Sequence, residues 1–172
     1  MRVDPTPTDF YTLTKDVIMS MQAQIKEKDL TVKLSYASNE HPMIPMDRDI
    51  VWQVIQNIVS NAVRYSPKKQ KIIITIDVDN KKKELVYSVQ DFGIGIPKRA
   101  QSRIFEKFFR AENAVKSVPE GSGLGMSLVK RIVEDWKGRL WFTSIENKGS
   151  TFSFTVPLKG VKSKEGEVRI TV

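Results

Sequence analysis

Pairs of extended segments joined by short turns constrain this chain more than any other feature. Ile72, Ile74 and Ile76 alternate with neighbours of a second face, and Leu85 to Asp91 follow as another extended run beyond the charged turn Asp79 to Lys83. Leu140 to Ile145 and Thr151 to Val156 repeat the arrangement around Gly149. Turns this short make antiparallel hairpins, since a parallel return needs a crossover of about a dozen residues or more. The sheet must therefore be largely antiparallel, and its remaining partners come from the segments between the hairpins.

Those segments read as helices and lesser strands. Pro5 and Pro7 keep the start extended, and Thr8 or Asp9 can cap a helix from about Phe10 to Lys28, with Leu13, Val17, Ile18, Met21 and Ile25 on one stripe. Val32, Leu34 and Tyr36 alternate as a strand, and Pro42 to Met46 allow a short second one. Asp47 caps a helix that runs to Tyr65 and stops before Pro67. Pro97 suits the first turn of a helix from Lys98 to about Phe109. A polar loop from Ala111 to Gly121 leads into a helix from Ser122 to Trp136, closed by Gly138. The result is a two-layer α/β sandwich, a mixed and mostly antiparallel sheet with helices on one face. Residues 1–159 make one domain. From Gly160 to Val172 the chain reads as a polar tail, although Val168, Ile170 and Val172 alternate and leave room for a further strand.

Composition narrows the function classes. The chain has 172 residues and no cysteine, which excludes disulfides, thiolate metal sites and cysteine nucleophiles together. No run approaches the ~20 apolar residues of a membrane span, and Met1 to Pro5 do not begin a secretory signal. A cytoplasmic location is expected. The net charge of +8 favours polyanionic partners. Its lysines cluster at Lys68-Lys69, Lys81 to Lys83 and Lys162 to Lys164, all beside turn signals, as solvated loop charges. No helix-turn-helix or aromatic RNA-binding pattern accompanies them, so no nucleic-acid partner is expected.

Three clusters carry chemistry. On the second long helix, Asn57, Asn61, Arg64 and Tyr65 share one side, while Val54, Ile55, Ile58, Val59 and Ala62 fill the rest. Taken alone the stripe fits an exposed face or a site equally. Asparagine is nevertheless a poor helix former, and its oxygen can ligate Mg²⁺ without adding charge near phosphates. Arg64, about 10 Å beyond Asn57 at ~1.5 Å per residue, can reach a phosphate oxygen. Next, Asp91-Phe92-Gly93-Ile94-Gly95-Ile96-Pro97 ends a strand. A carboxylate there can accept from an exocyclic amine, and the glycines let the backbone approach a flat ring. The triplet Asp91-Phe92-Gly93 also occurs in eukaryotic-type protein kinases, but no His-Arg-Asp loop or Ala-Ile-Lys strand is present. Last, Gly121-Ser122-Gly123-Leu124-Gly125 opens a helix whose free N–H groups can cradle phosphate. It is neither a P-loop nor a Rossmann fingerprint.

Order and spacing add what each cluster lacks. Asn57 to Tyr65, Asp91 to Gly95, Phe105-Glu106-Lys107-Phe108-Phe109-Arg110 and Gly121 to Gly125 resemble the N, G1, F and G2 boxes of the bacterial sensor histidine kinase catalytic domain, in family order. The resemblance runs from Asp4 to about Leu158 and implies the Bergerat-type ATP-binding fold shared with gyrase, Hsp90 and MutL. It implies ATP and Mg²⁺ as cofactors, with Asn61 as the metal ligand and Asn57 beside it. Arg64 and Tyr65 would contact phosphate and the nucleotide's flank. Asp91 would take the adenine amine, with Gly93, Gly95 and Ile96 forming the pocket floor. Arg110 would place the γ-phosphate, and Asn57, Arg64 and Arg110 form the expected catalytic set. Phe105 and Phe108 would anchor a lid spanning Ala111 to Ser122, with Gly121, Ser122, Gly123, Leu124 and Gly125 as hinge and phosphate clamp.

Asn57 separates the branches of that superfamily. Its ATP-hydrolysing branches resemble one another in placing glutamate there, and an amide is no general base. The expected partner is then a histidine on a separate dimerisation and phosphoacceptor domain, and indirectly a response regulator. His41, the sole histidine, lacks the acidic neighbour of the family's acceptor motif and reads as a surface residue. Departures from the pattern are Arg64 for lysine, Met126 for leucine and Trp136-Lys137-Gly138 for His-Gly-Gly. A regulatory nucleotide-binding module without phosphotransfer, or a serine kinase of the anti-sigma-factor type, are the competing readings.

Overall fold

The computed structural model describes residues 4–37 and 41–161. It is built of β1 (Thr6–Thr8), α1 (Phe10–Ser20), α2 (Gln22–Glu27), β2 (Thr31–Tyr36), β3 (Ile44–Met46), α3 (Arg48–Tyr65), β4 (Lys71–Asp79), β5 (Glu84–Asp91), a 3-10 helix (Lys98–Arg103), α4 (Glu112–Ser117), α5 (Gly125–Asp135), β6 (Leu140–Ile145) and β7 (Gly149–Pro157). The main sheet has the order β2-β4-β5-β7-β6. Among the described residues only β2 and β4 pair in parallel; β4·β5, β5·β7 and β6·β7 are antiparallel. Both hairpins expected from the sequence form.

One sheet face is buried under α1, α3 and α5. Ile72, Ile74 and Ile76 of β4, Leu85, Tyr87 and Val89 of β5, and Phe154 and Val156 of β7 point into this core. Tyr87 and Phe154 stack at 4.9 Å, and Trp136 closes α5 against the same phenylalanine at 6.3 Å. The buried Tyr87 hydroxyl meets the Thr14 hydroxyl of α1 at 3.0 Å, so the one phenol in the core has its partner. Lysines 68, 69, 81, 82 and 83 are exposed at turns, as their neighbours implied.

Local structure departs from the sequence reading in five places. The first helix divides at Met21, where the Ser20 hydroxyl bonds back to the Val17 carbonyl at 2.7 Å and competes with helix continuation; Met21 and Ile25 stay buried. The opening prolines do more than extend the chain, because β1 pairs antiparallel with β3 as a separate two-stranded sheet. Lys98 to Phe109 is not an α-helix. Only Ala100 of its 3-10 portion is buried, too little apolar surface to hold a regular helix. The polar loop after Arg110 contains α4, seated on the buried Ala111. Finally, α5 starts at Gly125, and its left-handed cap is Lys137 (φ 63°), with Gly138 donating to the Val133 carbonyl at 2.9 Å. The tail expected from Gly160 lies outside the described residues beyond Val161, whose N–H donates to Pro45 of β3 at 3.0 Å. No helix among the described residues is long and apolar enough to cross a membrane.

Candidate functional site

Helix α3 forms because Asp47 accepts from the N–H groups of Asp49 and Ile50, and because Val51, Val54, Ile55, Ile58, Val59, Ala62 and Val63 bury its apolar side. Asn57, Asn61, Arg64 and Tyr65 are left on the other side. They face one cavity of about 210 Å³, together with Asp91, Gly95 and Ile96 from the end of β5. Arg110, Gly121, Ser122, Gly123 and Gly125 close the opposite wall. The three separated segments therefore converge.

Asp91 is the sole carboxylate lining the cavity among the described residues. It is 8% exposed, and burial pushes its pKa up to about 6, against the lowering effect of the Gly93 and Ser150 backbone N–H groups. The Gly93 N–H donates to Asp91 Oδ1 at 2.9 Å and holds the carboxylate's orientation. Gly93, expected on the floor, is not among the residues lining the cavity and packs against Tyr65 and Asp91, which are. A side chain there would overlap the Tyr65 carbonyl oxygen, which accepts from Ile94 N–H at 3.3 Å. Its smallness seats the strand end against α3. Gly95 has φ +61°, and a Cβ would strike the Ile145 carbonyl, so only glycine fits this turn without strain.

At the other end, α5 has no side-chain cap. Its first N–H groups stay open to an anion at the positive end of the helix dipole. A Cβ on Gly125 would lie 2.6 Å from Asn57 Oδ1, so the small residue is what lets the amide approach α5. Asn57 fixes its own orientation by donating from Nδ2 to the Gln53 carbonyl at 2.8 Å. Arg64 makes no ion pair among the described residues, and its Nη1 would be 3.3 Å from a Cβ on Gly121. Arg110 is as near the same glycine, its Cζ at 3.2 Å, but its guanidinium is already engaged. It donates to the carbonyls of Ala114 (3.3 Å), Val118, Pro119 (2.7 Å) and Gly121 (3.5 Å). The expected phosphate-placing arginine is, in this structure, the strut of the lid.

Two further expectations need correction. The Phe108 side chain is no anchor: the residue is 73% exposed with φ +64°, while Phe105 meets Phe142 edge-on at 5.6 Å. What ties the lid's base together is backbone, the Phe108 N–H donating to the Gly123 carbonyl at 3.0 Å. Leu124 does not line the cavity and caps α5 through its main chain. His41 is exposed, its ring tilted against Tyr36 at 3.9 Å between centroids, and it lines no part of the cavity.

Sequence reasoning missed two residues. Lys28 donates to the carbonyls of Val63 (2.9 Å), Arg64 (2.6 Å) and Ser66 (3.0 Å), closing the C-terminus of α3 beside the site. Burial lowers its pKa, Arg64 adds to the lowering, and Glu27 opposes it. Asn113 of α4 donates to the carbonyls of Gly95 (2.8 Å) and Ile94 (3.4 Å), linking lid to strand end. Neither belongs to a box, and no local pattern marks either.

Residues 46–160 match the family described as histidine kinase-, DNA gyrase B-, and HSP90-like ATPases. The chain belongs to that family. It is 35% identical over 151 residues to the sensor histidine kinase WalK of Bacillus subtilis (strain 168), covering 88% of this chain and 23% of that protein. It is 34% identical over 146 residues to the adaptive-response sensory kinase SasA of Rippkaea orientalis, covering 85% and 36%. The chain thus spans about a quarter to a third of these relatives. Among solved structures, the catalytic domain of histidine kinase ThkA superposes with a TM-score of 0.76 at 28% identity, over 90% of this chain and 95% of that domain. ThkA in complex with the response regulator protein TrrA superposes with 0.73 at 25% identity, over 91% and 42%. The chain is accordingly an ATP-binding catalytic domain of the histidine kinase type.

Proposed function

We propose that this domain binds ATP with Mg²⁺ and passes the γ-phosphoryl group to a histidine on a separate dimerisation domain of its parent kinase, working in the cytoplasm where ATP is supplied. The observation that carries the reading is the cavity itself. Its wall offers an amine-accepting carboxylate at one end, an uncapped helix N-terminus and a free arginine at the other, and two carboxamides between. Asp91 would accept from the adenine amine. The α5 N–H groups and Arg64 would hold phosphate oxygens. Arg110 would keep the lid folded over them and lend its positive charge.

The donors present fit Mg²⁺. No cluster of three or more His, Cys, Asp or Glu stands among the described residues to form an all-protein cage. Mg²⁺ commonly takes one or two protein oxygens and completes its shell with substrate phosphates and water, and Asn61 supplies such an oxygen. When bound, the ion would neutralise charge developing on the phosphates.

Nothing on the wall can activate water. Asp91 is needed at the adenine end, and the amide of Asn57 stands beside α5 where a base would have to act. The γ-phosphoryl therefore waits for an imidazole. The bond from phosphorus to the bridging oxygen breaks, one to the imidazole nitrogen forms, and ADP leaves. A response regulator would then draw the group from that histidine, as the ThkA–TrrA pairing suggests by likeness. Calorimetric titration of ATP with and without Mg²⁺, on the native chain, Asn61→Ala and Asp91→Ala, tests the site. Asn61→Ala should erase the metal dependence and Asp91→Ala the adenine recognition; unchanged binding in both would refute the assignment. Rapid ATP hydrolysis by the chain alone would refute the external acceptor.

A further inference from the structure

Arg110 has no donor to spare on its terminal nitrogens. Nη1 donates to the carbonyls of Pro119 (2.7 Å) and Gly121 (3.5 Å), and Nη2 to those of Ala114 (3.3 Å) and Val118. A guanidinium carries five N–H groups, four of them on those two nitrogens. Only the Nε–H is left for anything in the cavity, although Arg110 lines its wall. A phosphate held by this residue would receive a single N–H, without the paired fork that makes arginine a strong phosphate binder.

The carbonyls it collects explain the arrangement. Helix α4 has six residues, buries none of them and has no side-chain cap. A helix so short does not persist on its own. Arg99 pairs with Glu112 at 2.6 Å on the exposed side, and Asn113 ties α4 to the Gly95 carbonyl at 2.8 Å. Among the described residues, only Arg110 donates from one side chain both to α4 and to the glycine turn that leads into α5. Removing that brace would loosen the wall that covers a bound nucleotide without removing a phosphate ligand. We infer that Arg110 is a positioning residue, one that sets how long nucleotide stays by bracing the lid through its fork, and that it does not distinguish ATP from ADP. The inference rests on the ATP-binding reading above and deepens it: phosphate recognition falls to Arg64 and the α5 N–H groups, and retention to Arg110.

Two variants separate fork from charge. Arg110→Lys keeps the charge, but a single ammonium cannot bridge acceptors on two sides; Arg110→Gln loses both. ATP and ADP affinities are measured by calorimetry with Mg²⁺, and release of their fluorescent N-methylanthraniloyl derivatives by stopped flow. Amide exchange of residues 111–122 is followed in the empty chain. Both variants should release both nucleotides about tenfold to a hundredfold faster, the scale of hydrogen bonds from a charged donor, and keep the ATP-to-ADP affinity ratio within about twofold of native. Lid amides should exchange faster in both, while those of β4 and β5 keep their native protection and show the core intact. Arg110→Lys behaving as the native chain would make charge the agent and overturn the inference. A loss confined to ATP would also overturn it by making Arg110 a γ-phosphate ligand, as would native release and lid exchange in both variants. Native chain that binds neither nucleotide would instead defeat the underlying function, and lid exchange would still report on the brace.

Discussion

Replacing Asp91 with asparagine should strengthen the empty domain while disabling it. In the folded chain Asp91 ionises at about 6, against an ordinary carboxylate value of 3.8, because burial penalises the charge more than two backbone N–H groups offset it. Below about pH 4 the residue is protonated in folded and unfolded chains alike, and nothing is lost. Between about pH 4 and 6 the unfolded chain ionises and the folded one resists, so stability falls as pH rises. Above 6 both are ionised and the full cost stands. Two units at ~1.4 kcal/mol each set that cost at roughly 3 kcal/mol. The replacing amide would carry no charge and would still accept from Gly93, but its NH₂ needs a partner in a buried place, so the net gain should be about 1–2 kcal/mol. That corresponds to a melting temperature higher by about 2–8 °C at pH 7.5 for a chain of this size, with the advantage vanishing near pH 4. The same change should weaken ATP binding about tenfold to a hundredfold, the contribution of a charged acceptor. Differential scanning calorimetry from pH 4 to 8 decides it. Were Asp91→Asn to lower the melting temperature equally at both ends of the range, burial would not be what shifts this carboxylate.

Three other substitutions probe the frame around the cavity. Lys28→Met should cost about 1–2 kcal/mol in denaturant unfolding by uncapping α3, and should weaken ATP binding through Arg64 although Lys28 itself does not line the cavity; Lys28→Arg should restore part of both. Gly95→Ala should cost about 2–4 kcal/mol, since it meets both a left-handed backbone and the Ile145 carbonyl; a melt within about 2 °C of the native one would contradict the geometry. Thr14→Val should cost about 1–3 kcal/mol by stranding the buried Tyr87 hydroxyl, with ATP affinity unchanged.

The sheet was legible because its strands bury one face: alternation at Ile72, Ile74 and Ile76 and turns at Asp79 to Lys83 state both partner and direction. What stayed hidden depends on contacts between distant segments. Nothing near Pro7 reveals that it faces Pro45 across β1 and β3. Nothing in Lys98 to Phe109 shows that its apolar residues come too late to bury a regular helix. Short polar α4 reads as loop because its support is two small residues, Ala111 and Ala114, together with one arginine collecting its carbonyls from outside.

The same distinction governs the site. Residues meant to meet a ligand must keep part of their bonding capacity free of the fold, and such residues look anomalous in sequence: asparagines inside an apolar helix, an acid at the end of a buried strand, glycines where a helix begins. Residues meant to hold those in place are satisfied by the fold and look ordinary. Lys28 and Arg110 are both cations engaged by backbone carbonyls; no pattern in the sequence marks the first, and the box assigns the second to phosphate. Arg110 shows the hazard of reading by motif, since its position in the box is right and its guanidinium is turned to the lid. Asn113 stands between the classes, with Nδ2 bonded to the strand end and Oδ1 buried without a donor. That division is why pattern could not find it and why geometry can.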